Sequence, residues 1–382
     1  MRTRLSSIVI LAGLMMACNS NSSSSNNSAE PAPVAVGKSG FDSQKVAQFD
    51  EPWAMTFLPD GRLLVTERKG SLKLYNLSTK KTGSITGLPT VVYAGQGGLG
   101  DVVLHPQFAQ NGLVYWSYAE AGAGGSGAAV ARGKLTLDNA GNGQLSNVEV
   151  IWRQVPKVSG DGHFGHRIAF DQQGLLWIAS GERQKFDPAQ DMNSNLGKII
   201  RLNDDGSIPA DNPFASQGGV AAQVWSLGHR NPLGIAFNAQ GQLWEIEMGP
   251  KGGDELNLVE KSQNYGYPLV SNGDHYDGKP IPDHNTRPEF KAPAISWTPV
   301  ISPSSLIFYT GNQFPAWKNS AFAGGLSSEA LIRIEFDGNT AREAERFAMG
   351  ARIREVEQAP DGSLWLLEDG KNANLLHLLP KS

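Results

Sequence analysis

Five stretches of the chain repeat one pattern, in which a turn containing glycine precedes a run of alternating large apolar residues. The copies are LPDGRLLVTER (58–68), AQNGLVYWSYAE (109–120), DQQGLLWIASGER (171–183), NAQGQLWEIEMGP (238–250) and APDGSLWLLEDG (359–370). Alternation of this kind predicts a β-strand with one buried face, and the glycine marks the turn before it. The chain therefore repeats one turn-and-strand unit.

The spacing of the copies predicts a sixth unit. Successive turn glycines are 51, 62, 67 and 121 residues apart, so the last gap is about twice the others, and FPAWKNSAFAGGLSSEALIRIEFDG (314–338) supplies a degenerate strand pair inside it. Six units of several short strands each favour an all-β, six-bladed β-propeller, in which neighbouring sheets bury each other's faces. An irregular β-sandwich is the alternative. Trp177, Trp244 and Trp365, which follow the turns, are predicted to be core residues.

Composition agrees with an all-β chain that binds small partners. Among 382 residues there are 44 glycines and 22 prolines, and 40% of the residues are hydrophobic. These values suit many short strands joined by turns. The nearest helix candidate, NTAREAERF (339–347), is short. The net charge of -4 with dispersed basic residues gives no footprint for nucleic acid.

The first eighteen residues, MRTRLSSIVILAGLMMAC, have the layout of a signal peptide and are too short to span a membrane. Cys18, the only cysteine, follows the apolar run as in a lipoprotein cleavage box, although Met15 stands where such boxes usually have leucine. Simple secretion is the alternative. Residues 19–40 read as a flexible linker rich in Ser, Asn and Pro, and residues 41–382 as the folded domain. We expect an exported bacterial protein, either periplasmic or a lipoprotein anchored to the outer membrane.

One candidate for a reaction centre is DGHFGHRIAFDQQGLLWIASGER (161–183). His163 and Arg167 stand just before one predicted strand and Glu182 ends the next, so a hairpin would bring them together. A histidine beside a carboxylate is the arrangement that a general base needs. A turn histidine with satisfied hydrogen bonds is the alternative.

Other polar residues lie at positions where a β-sheet does not require a polar side chain. Gln96 lies in a glycine-dense turn that either forms a tight bulge or exposes its amide to a ligand. Arg230 and Asn231 flank a proline turn, and Arg352 and Arg354 should point to the same side of a strand. Several guanidinium groups together would bind a ligand with several carboxylates. Solvated surface charge is the alternative for these arginines.

The segment EMGPKGGDELNLVEKSQNYGYP (247–268) combines glycines with Asp254 and Glu255. Such oxygen-rich loops suit a hard cation such as calcium, although this is not an EF-hand. The sequence has no His/Cys cluster for zinc, no phosphate-binding glycine loop and no nucleophile elbow, so NAD and ATP are not expected.

Taken together and in order, several motifs resemble the soluble quinoprotein sugar dehydrogenases of the glucose/sorbosone dehydrogenase family. They are EPWAMTFLPDGRLLVTER, GQGGLGDVVLHPQF, HFGHRIAF, LGKIIRLNDDGSIPADNPF, GHRNPLGIAF, GPKGGDELN, NYGYP and RIREV. The likeness runs from about residue 41 to the C-terminus. It implies the family's six-bladed propeller with pyrroloquinoline quinone (PQQ), a tricarboxylate, held over its axis with calcium.

The resemblance also implies roles for single residues. His163 looks like the catalytic base, Glu182 like its supporting carboxylate and Gln96 like a pocket residue near substrate and quinone. Quinone-binding and metal-binding roles fall to a further set: Arg230, Asn231, Arg352 and Arg354 for the quinone, carbonyls of Gly249 and Pro250 for the cofactor calcium, and Glu255 and Tyr265 for a second, structural calcium.

The implied reaction is oxidation of an aldose at C1 to a lactone, with hydride transfer to the quinone and an unidentified final electron acceptor. Ser327 stands where soluble glucose dehydrogenases have a lysine, so one cationic contact to the quinone is missing. Gly162 replaces an aspartate of the glucose-specific branch, which favours a broader sugar pocket. The alternatives are a non-enzymatic propeller that acts as a binding module on a lipoprotein, and a calcium-dependent lactonase, which would need acidic residues at its axis.

The lipid-anchor hypothesis makes a prediction about Cys18. Lipid attachment requires the thiol, so in the bacterial host we expect the wild-type protein in the membrane fraction and Cys18→Ser in the soluble fraction. Fractionation with immunoblotting, together with labelled palmitate, measures this. A wild-type protein that is soluble and unlabelled would leave simple secretion in place.

Overall fold

The computed structural model describes residues 40–381, and these residues are all-β. The one α-helix among them, α1 (Phe108–Asn111), has four residues. Short 3-10 turns occur at Asp187–Ala189, Ala215–Gln217, Ala221–Gln223, His284–Thr286 and Pro315–Trp317. No helix in this range is long and apolar enough to cross a membrane. The predicted signal peptide, Cys18 and the linker up to residue 39 lie outside the described residues.

Short strands account for nearly all of the regular structure. Numbered along the chain, they are β1 (Phe41–Phe49), β2 (Pro52–Phe57), β3 (Leu63–Glu67), β4 (Ser71–Asn76), β5 (Lys81–Thr86), β6 (Leu99–Leu104), β7 (Leu113–Gly122), β8 (Gly125–Leu137), β9 (Gly143–Arg153), β10 (Gly165–Phe170), β11 (Leu176–Ser180), β12 (Lys198–Leu202), β13 (Val224–Leu227), β14 (Pro232–Phe237), β15 (Leu243–Glu247), β16 (Asp254–Leu258), β17 (Ile295–Trp297), β18 (Pro303–Phe308), β19 (Ala321–Gly325), β20 (Ala330–Asp337), β21 (Thr340–Ala348), β22 (Ile353–Gln358), β23 (Leu364–Glu368) and β24 (Ala373–Pro380).

The strands pair mostly with their neighbours in sequence. Three antiparallel sheets consist of β10 to β13, β14 to β17 and β18 to β21. A fourth sheet has the order β1-β24-β23-β22, so the first strand completes the sheet formed by the last three. The remaining sheet has eight strands, β2-β3-β4-β5-β9-β8-β7-β6, and its two antiparallel halves are joined by two parallel pairs, Ile85–Gly143 and Thr86–Gln144.

The first strands of these groups surround a common centre. Strands β2, β6, β10, β14, β18 and β22 contact one another in a closed cycle. The cores lie between adjacent sheets, and Trp177, Trp244 and Trp365 are 5%, 0% and 4% exposed. Their prediction as core residues is confirmed.

Each inner strand carries an irregularity at the same place in its pairing. The register shifts lie at Pro52/Ala54, Leu99/Val102, Gly165/Ile168, Pro232/Gly234, Pro303/Ser305 and Ile353/Glu355. A bulge adds a residue on one strand and redirects its side chain. The recurrence of this feature gives every inner strand at least one redirected residue near the centre.

The turn prediction holds for the five copies that carry a glycine. All five turn glycines have left-handed φ values between +68° and +83°, which glycine adopts without steric cost: Gly61, Gly112, Gly174, Gly241 and Gly362. In the predicted sixth copy, β19 and β20 fall within residues 314–338, and a 3-10 turn replaces the glycine turn. The stretch 339–347, which was the nearest helix candidate, forms β21, in agreement with the all-β prediction.

Arg167 does not lie beside His163 as the sequence hypothesis placed it. Instead its buried guanidinium turns to the centre of the ring, because it belongs to the bulge of β10. It contacts all five other inner strands: the ring of Trp53 at 4.2 Å, Asp101 at 3.4 Å, the carbonyl of Leu233 at 2.7 Å, the carbonyl of Ser304 and the carboxylate of Glu355.

Arg167 supplies the positive charge beside two buried acids, Asp101 and Glu355. Burial raises the pKa of Asp101, and burial also raises the pKa of Glu355 to about 8, while the Arg167 charge acts in the opposite direction on both. Removing one partner of a buried ion pair leaves an uncompensated charge, which is costly. Arg167 therefore both joins the inner strands and neutralises the carboxyl groups of two of them.

We expect Arg167→Met to lower the free energy of unfolding by about 3–5 kcal/mol, since it leaves buried carboxylates unpaired. Because their pKa values are raised, protons can replace the guanidinium in acid, so the loss should be smaller at about pH 5 than at about pH 8. Urea unfolding at both pH values measures this. Arg342→Met is the control, since that side chain is 69% exposed and should matter little. Equal effects of the two substitutions would contradict the central role of Arg167.

Candidate active site

The hairpin of β10 and β11 joins the histidine and carboxylate that the sequence predicts as a pair. His163, just before β10, has a φ of +50°, and its Nδ1 is hydrogen-bonded to Glu182 Oε1. The other carboxylate oxygen of Glu182 accepts the backbone N–H groups of Lys185 and Phe186, the latter at 2.8 Å. His163 is 5% exposed and Glu182 is fully buried. The carboxylate is thus fixed from both sides and in turn fixes the ring.

Electrostatics favour a neutral ring with a proton on Nδ1. Burial lowers the pKa of His163, Glu182 opposes this and the charge of Arg230 adds to it. For Glu182, burial raises the pKa, but the bond and charge of His163 outweigh it and the pKa is lowered. A neutral imidazole whose Nδ1–H points to a carboxylate has a free lone pair on Nε2. His163 can therefore accept a proton at Nε2.

Gln96 adjoins this pair. Its Oε1 accepts the backbone N–H of His163 at 2.8 Å, and its own backbone N–H donates to the carbonyl of Asp161 at 2.7 Å. The glycine-rich turn thus does form a tight connection, with Gly95 at φ +52°. Gln96 also lines a cavity, so a tight turn and a position open to a ligand are compatible here.

Arg230 and Asn231 are held by one buried carboxylate. Glu247 Oε2 accepts both of their backbone N–H groups, at 2.6 and 3.0 Å. The Arg230 guanidinium donates to the carbonyls of Met248 and Gly249, at 2.9 and 2.6 Å. Among the described residues, Arg230 Nε and Asn231 Nδ2 have no hydrogen-bond partner although both atoms are buried. These two donors can serve an acceptor that the described chain does not provide.

Arg352 lies just before β22 and Arg354 lies in its bulge, and both side chains contact the same carboxylate. Both donate to Asp369, at distances of 2.8 and 2.9 Å. Burial raises the pKa of Asp369, but the two arginines outweigh this and the pKa is lowered. One carboxylate thus anchors two guanidinium groups, which leaves further N–H donors for a ligand.

These residues line two adjoining cavities. The first, of about 390 Å³, is lined by Gln96, Asn231, Arg352, Arg354, Arg68 and His166 among others. The second, of about 260 Å³, is lined by His163, Glu182, Arg230, Pro250, Tyr267 and Tyr276 among others. They are neighbours because Arg230 and Asn231 are consecutive and Gln96 bonds to His163.

A larger groove lies elsewhere, at about 450 Å³ beside Trp177 and Trp225, and contains none of the predicted site residues. We place the candidate active site in the two smaller cavities, because the charged groups converge there.

The predicted metal ligands divide between two places. Pro250 lines the second cavity, and Gly249 is next to it. Glu255 and Tyr265 line neither cavity, and both are buried. Asn257 donates to both Glu255 and Glu245, at 3.2 and 2.8 Å, and the Tyr265 ring stacks on His229 at 4.6 Å.

Glu255 and Tyr265 flank a buried acidic group formed by His229, Glu245 and Glu247, whose ligand atoms lie within 4.8 Å of one another. Burial lowers the pKa of His229, but the carboxylates of Glu245 and Glu247, at 3.4 and 3.6 Å from its Nδ1, outweigh this and raise the pKa to about 9. Among residues 40–381, Glu245 Oε2 and Asn257 Oδ1 are buried without a partner. This cluster therefore has oxygen atoms free for a cation.

The structure adds site residues that the sequence hypotheses missed. They are Arg68, His166, Asp369, Tyr267 and Tyr276. Arg68 ends the first repeat copy as Arg183 ends the third, so its place in the repeat was a usable signal. Tyr267 belongs to the NYGYP motif, but nothing in its spacing indicates that it faces Arg230.

The chain belongs to the glucose/sorbosone dehydrogenase family, whose model matches residues 49–377. Membership makes it an oxidoreductase that acts on the CH–OH group of sugars. It is 39% identical to the aldose sugar dehydrogenase YliI of Escherichia coli over 344 residues, 88% of this chain and 91% of that protein.

Solved structures agree with this assignment. The soluble aldose sugar dehydrogenase of Escherichia coli in its apo-form is 38% identical with a TM-score of 0.84, over 89% of this chain and all of that one. The PQQ-bound aldose sugar dehydrogenase of Streptomyces coelicolor is 28% identical with a TM-score of 0.73, over 89% and 98%.

The His163–Glu182 bond makes a testable prediction. Glu182→Gln keeps the shape but removes the charge that stabilises protonated His163, so the pKa of His163 should fall further below its ordinary value. NMR titration of histidine-labelled protein measures it. The pKa of His377, which is remote from both cavities, should not move. An unchanged pKa of His163 would contradict the electrostatic role of Glu182.

Proposed function

We propose that the protein oxidises aldose sugars at C1 to lactones with PQQ as hydride acceptor and His163 as general base. The observation that carries this proposal is the meeting of His163–Glu182 with four arginines and two partnerless buried donors at two adjoining cavities. An oxidoreductase family supplies the reaction class, and the arginines suit an anionic cofactor.

We further infer that the fold is a six-bladed β-propeller. Support comes from the closed cycle of inner strands and from the equivalent register shift in each of them. The eight-stranded sheet then counts as two blades, since its halves share two residue pairs. The resulting central funnel would bring loops from every blade to one face, where both cavities lie.

The arginine-lined cavity suits a flat tricarboxylate. Arg352 and Arg354 have donors to spare beyond Asp369, and Arg230 Nε and Asn231 Nδ2 lack partners among the described residues. Donors without acceptors fit a ligand rich in oxygen, and guanidinium groups pair with carboxylates in a planar geometry. We propose that these four residues bind PQQ.

Calcium fits two places by the chemistry of the oxygen donors. Backbone carbonyls of Gly249 and Pro250 would hold the cofactor calcium, although the Gly249 carbonyl also accepts from Arg230. Glu255 and Tyr265 would hold the second calcium, beside the free oxygens of Glu245 and Asn257. The second site is supported by two buried oxygen atoms that lack hydrogen-bond partners. The first site is supported only by the type of its donor atoms, which are backbone carbonyl oxygens.

In this mechanism, His163 takes the proton of the anomeric hydroxyl at Nε2. Glu182 holds Nδ1–H and stabilises the positive charge that then develops on the ring. Gln96 orients the loop of His163 through the backbone N–H and presents its amide to the cavity. When bound, the quinone with its calcium supplies the polarised two-electron acceptor for the C1 hydride, so that proton and hydride together leave a lactone.

Two departures from related enzymes bear on specificity. A Cβ at Gly162 would lie 2.5 Å from the Gln184 side chain, so Gln184 takes the space that an aspartate would use, which supports a differently shaped sugar pocket. Ser327 Oγ lies 3.4 Å from the carbonyl of Val300 and offers no charge in place of the family lysine. We propose that PQQ binding loses one cationic contact there.

For location we propose an exported protein, periplasmic or outer-membrane-anchored, whose membrane contact is a lipid on Cys18. The rival function, a propeller that acts as a binding module without chemistry, requires neither the His163–Glu182 pair nor the partnerless donors, and is therefore the weaker proposal.

Reconstitution tests the proposed function. Purified protein with calcium and PQQ should reduce an artificial dye when aldoses are added, and His163→Ala should lower this rate by about 10²–10⁴-fold while PQQ uptake remains, since the base acts on substrate. His377→Ala is the matched control and should keep full activity. Failure of the wild-type protein to take up PQQ or reduce the dye would favour the binding module.

A further inference from the structure

His166 is a second imidazole beside the candidate active site, and the hypotheses from the sequence give it no role. It lies three residues after His163, in the bulge of β10, and is 3% exposed. Its φ is +77°, a left-handed value that residues with large side chains rarely adopt. The fold thus holds a bulky polar side chain in an unfavourable backbone conformation at this position.

Neither ring nitrogen of His166 has a hydrogen-bond partner among residues 40–381, although both are buried. Buried polar groups in folded proteins are nearly always hydrogen-bonded, because an unpaired one loses its solvation without compensation. The imidazole therefore carries an unused donor and an unused acceptor next to a cavity.

Packing fixes where the ring lies. It stacks on Phe164, with ring centroids 5.3 Å apart and planes 16° apart, and meets the edge of Trp53 at 5.6 Å. Gly100 leaves room for it, since a Cβ there would lie 2.8 Å from His166 Cγ. Because its aromatic neighbours and β10 hold it, the ring is a rigid part of the cavity wall.

The cavity that His166 lines is the one with the arginines. Arg68, Arg352 and Arg354 line it too, and Arg354 occupies the bulge of its own inner strand as His166 does. Burial, followed by the charges of Arg183, Arg167 and Arg68, lowers the pKa of His166 to about 3, so the ring is neutral near pH 7. A neutral imidazole offers one N–H donor without adding charge.

We propose that the N–H of His166 donates a hydrogen bond to a carbonyl or carboxylate oxygen of the quinone in the arginine-lined cavity. His166 would thus be a cofactor-contacting residue that helps to orient the planar ligand while the arginines neutralise it. This inference rests on the proposed function, which supplies the identity of the ligand.

The variant His166→Phe tests the proposal, because it keeps an aromatic ring and removes both nitrogens. PQQ is titrated with calcium into apo-protein, and binding is followed by calorimetry. We expect a Kd about tenfold higher than that of the wild type, as for loss of one buried hydrogen bond. His377→Phe is the matched control, because His377 also stacks on an aromatic ring, that of Trp365 at 4.2 Å, and lies on β24 away from the cavity. Its Kd should be unchanged.

NMR of wild-type protein with nitrogen-labelled histidine gives a readout that does not depend on the folding of a variant. The His166 ring nitrogens should shift strongly on addition of PQQ, since hydrogen bonding changes nitrogen shifts far more than nearby packing does. A purely structural role would lower the apo-protein melting temperature in His166→Phe and leave these shifts unmoved.

The outcomes separate the two proposals. A wild type that binds PQQ, together with an unchanged Kd in His166→Phe and unmoved His166 resonances, overturns this inference alone. A wild type that binds no PQQ overturns the proposed function and, with it, the ligand assigned to His166.

Discussion

The guanidinium of Arg167 is the contact on which the arrangement of the inner strands depends. It touches or bonds a residue from each of the other five, and it neutralises two acids that would otherwise be buried without a counter-charge. A ring of sheets has no core of its own at its centre, so something must fill and connect that space. Here a planar, permanently charged group with several donors does so, which lysine could not reproduce.

The bulges of the inner strands also place side chains in the candidate active site. Each inner strand redirects at least one residue at the bulge near its start. The same cavity is lined by residues from four of these bulges: Trp53, His166, Leu233 and Arg354. The irregularity that recurs through the fold is therefore also what supplies the cavity with its polar and aromatic wall.

Local patterns in the sequence predicted much of this molecule. Turn glycines and apolar alternation located the strands, and the hairpin logic paired His163 with Glu182, because both depend on residues close in the chain. The position of the Arg167 side chain could not be predicted in this way, because its partners lie 66 to 188 residues away in the chain and because its direction depends on a bulge. His166 was missed because its direction also depends on that bulge.

Strand β1 has its hydrogen-bonding partner at the opposite end of the described chain, where Phe41 pairs with Pro380. The sheet to which it belongs therefore cannot be completed during synthesis until the last strand has been made, whereas the hairpins in between can form as they appear. Pairing over such a distance carries a large chain-ordering cost and slows the final step. A polypeptide built in this way keeps its ring of sheets open for as long as its final strand is missing.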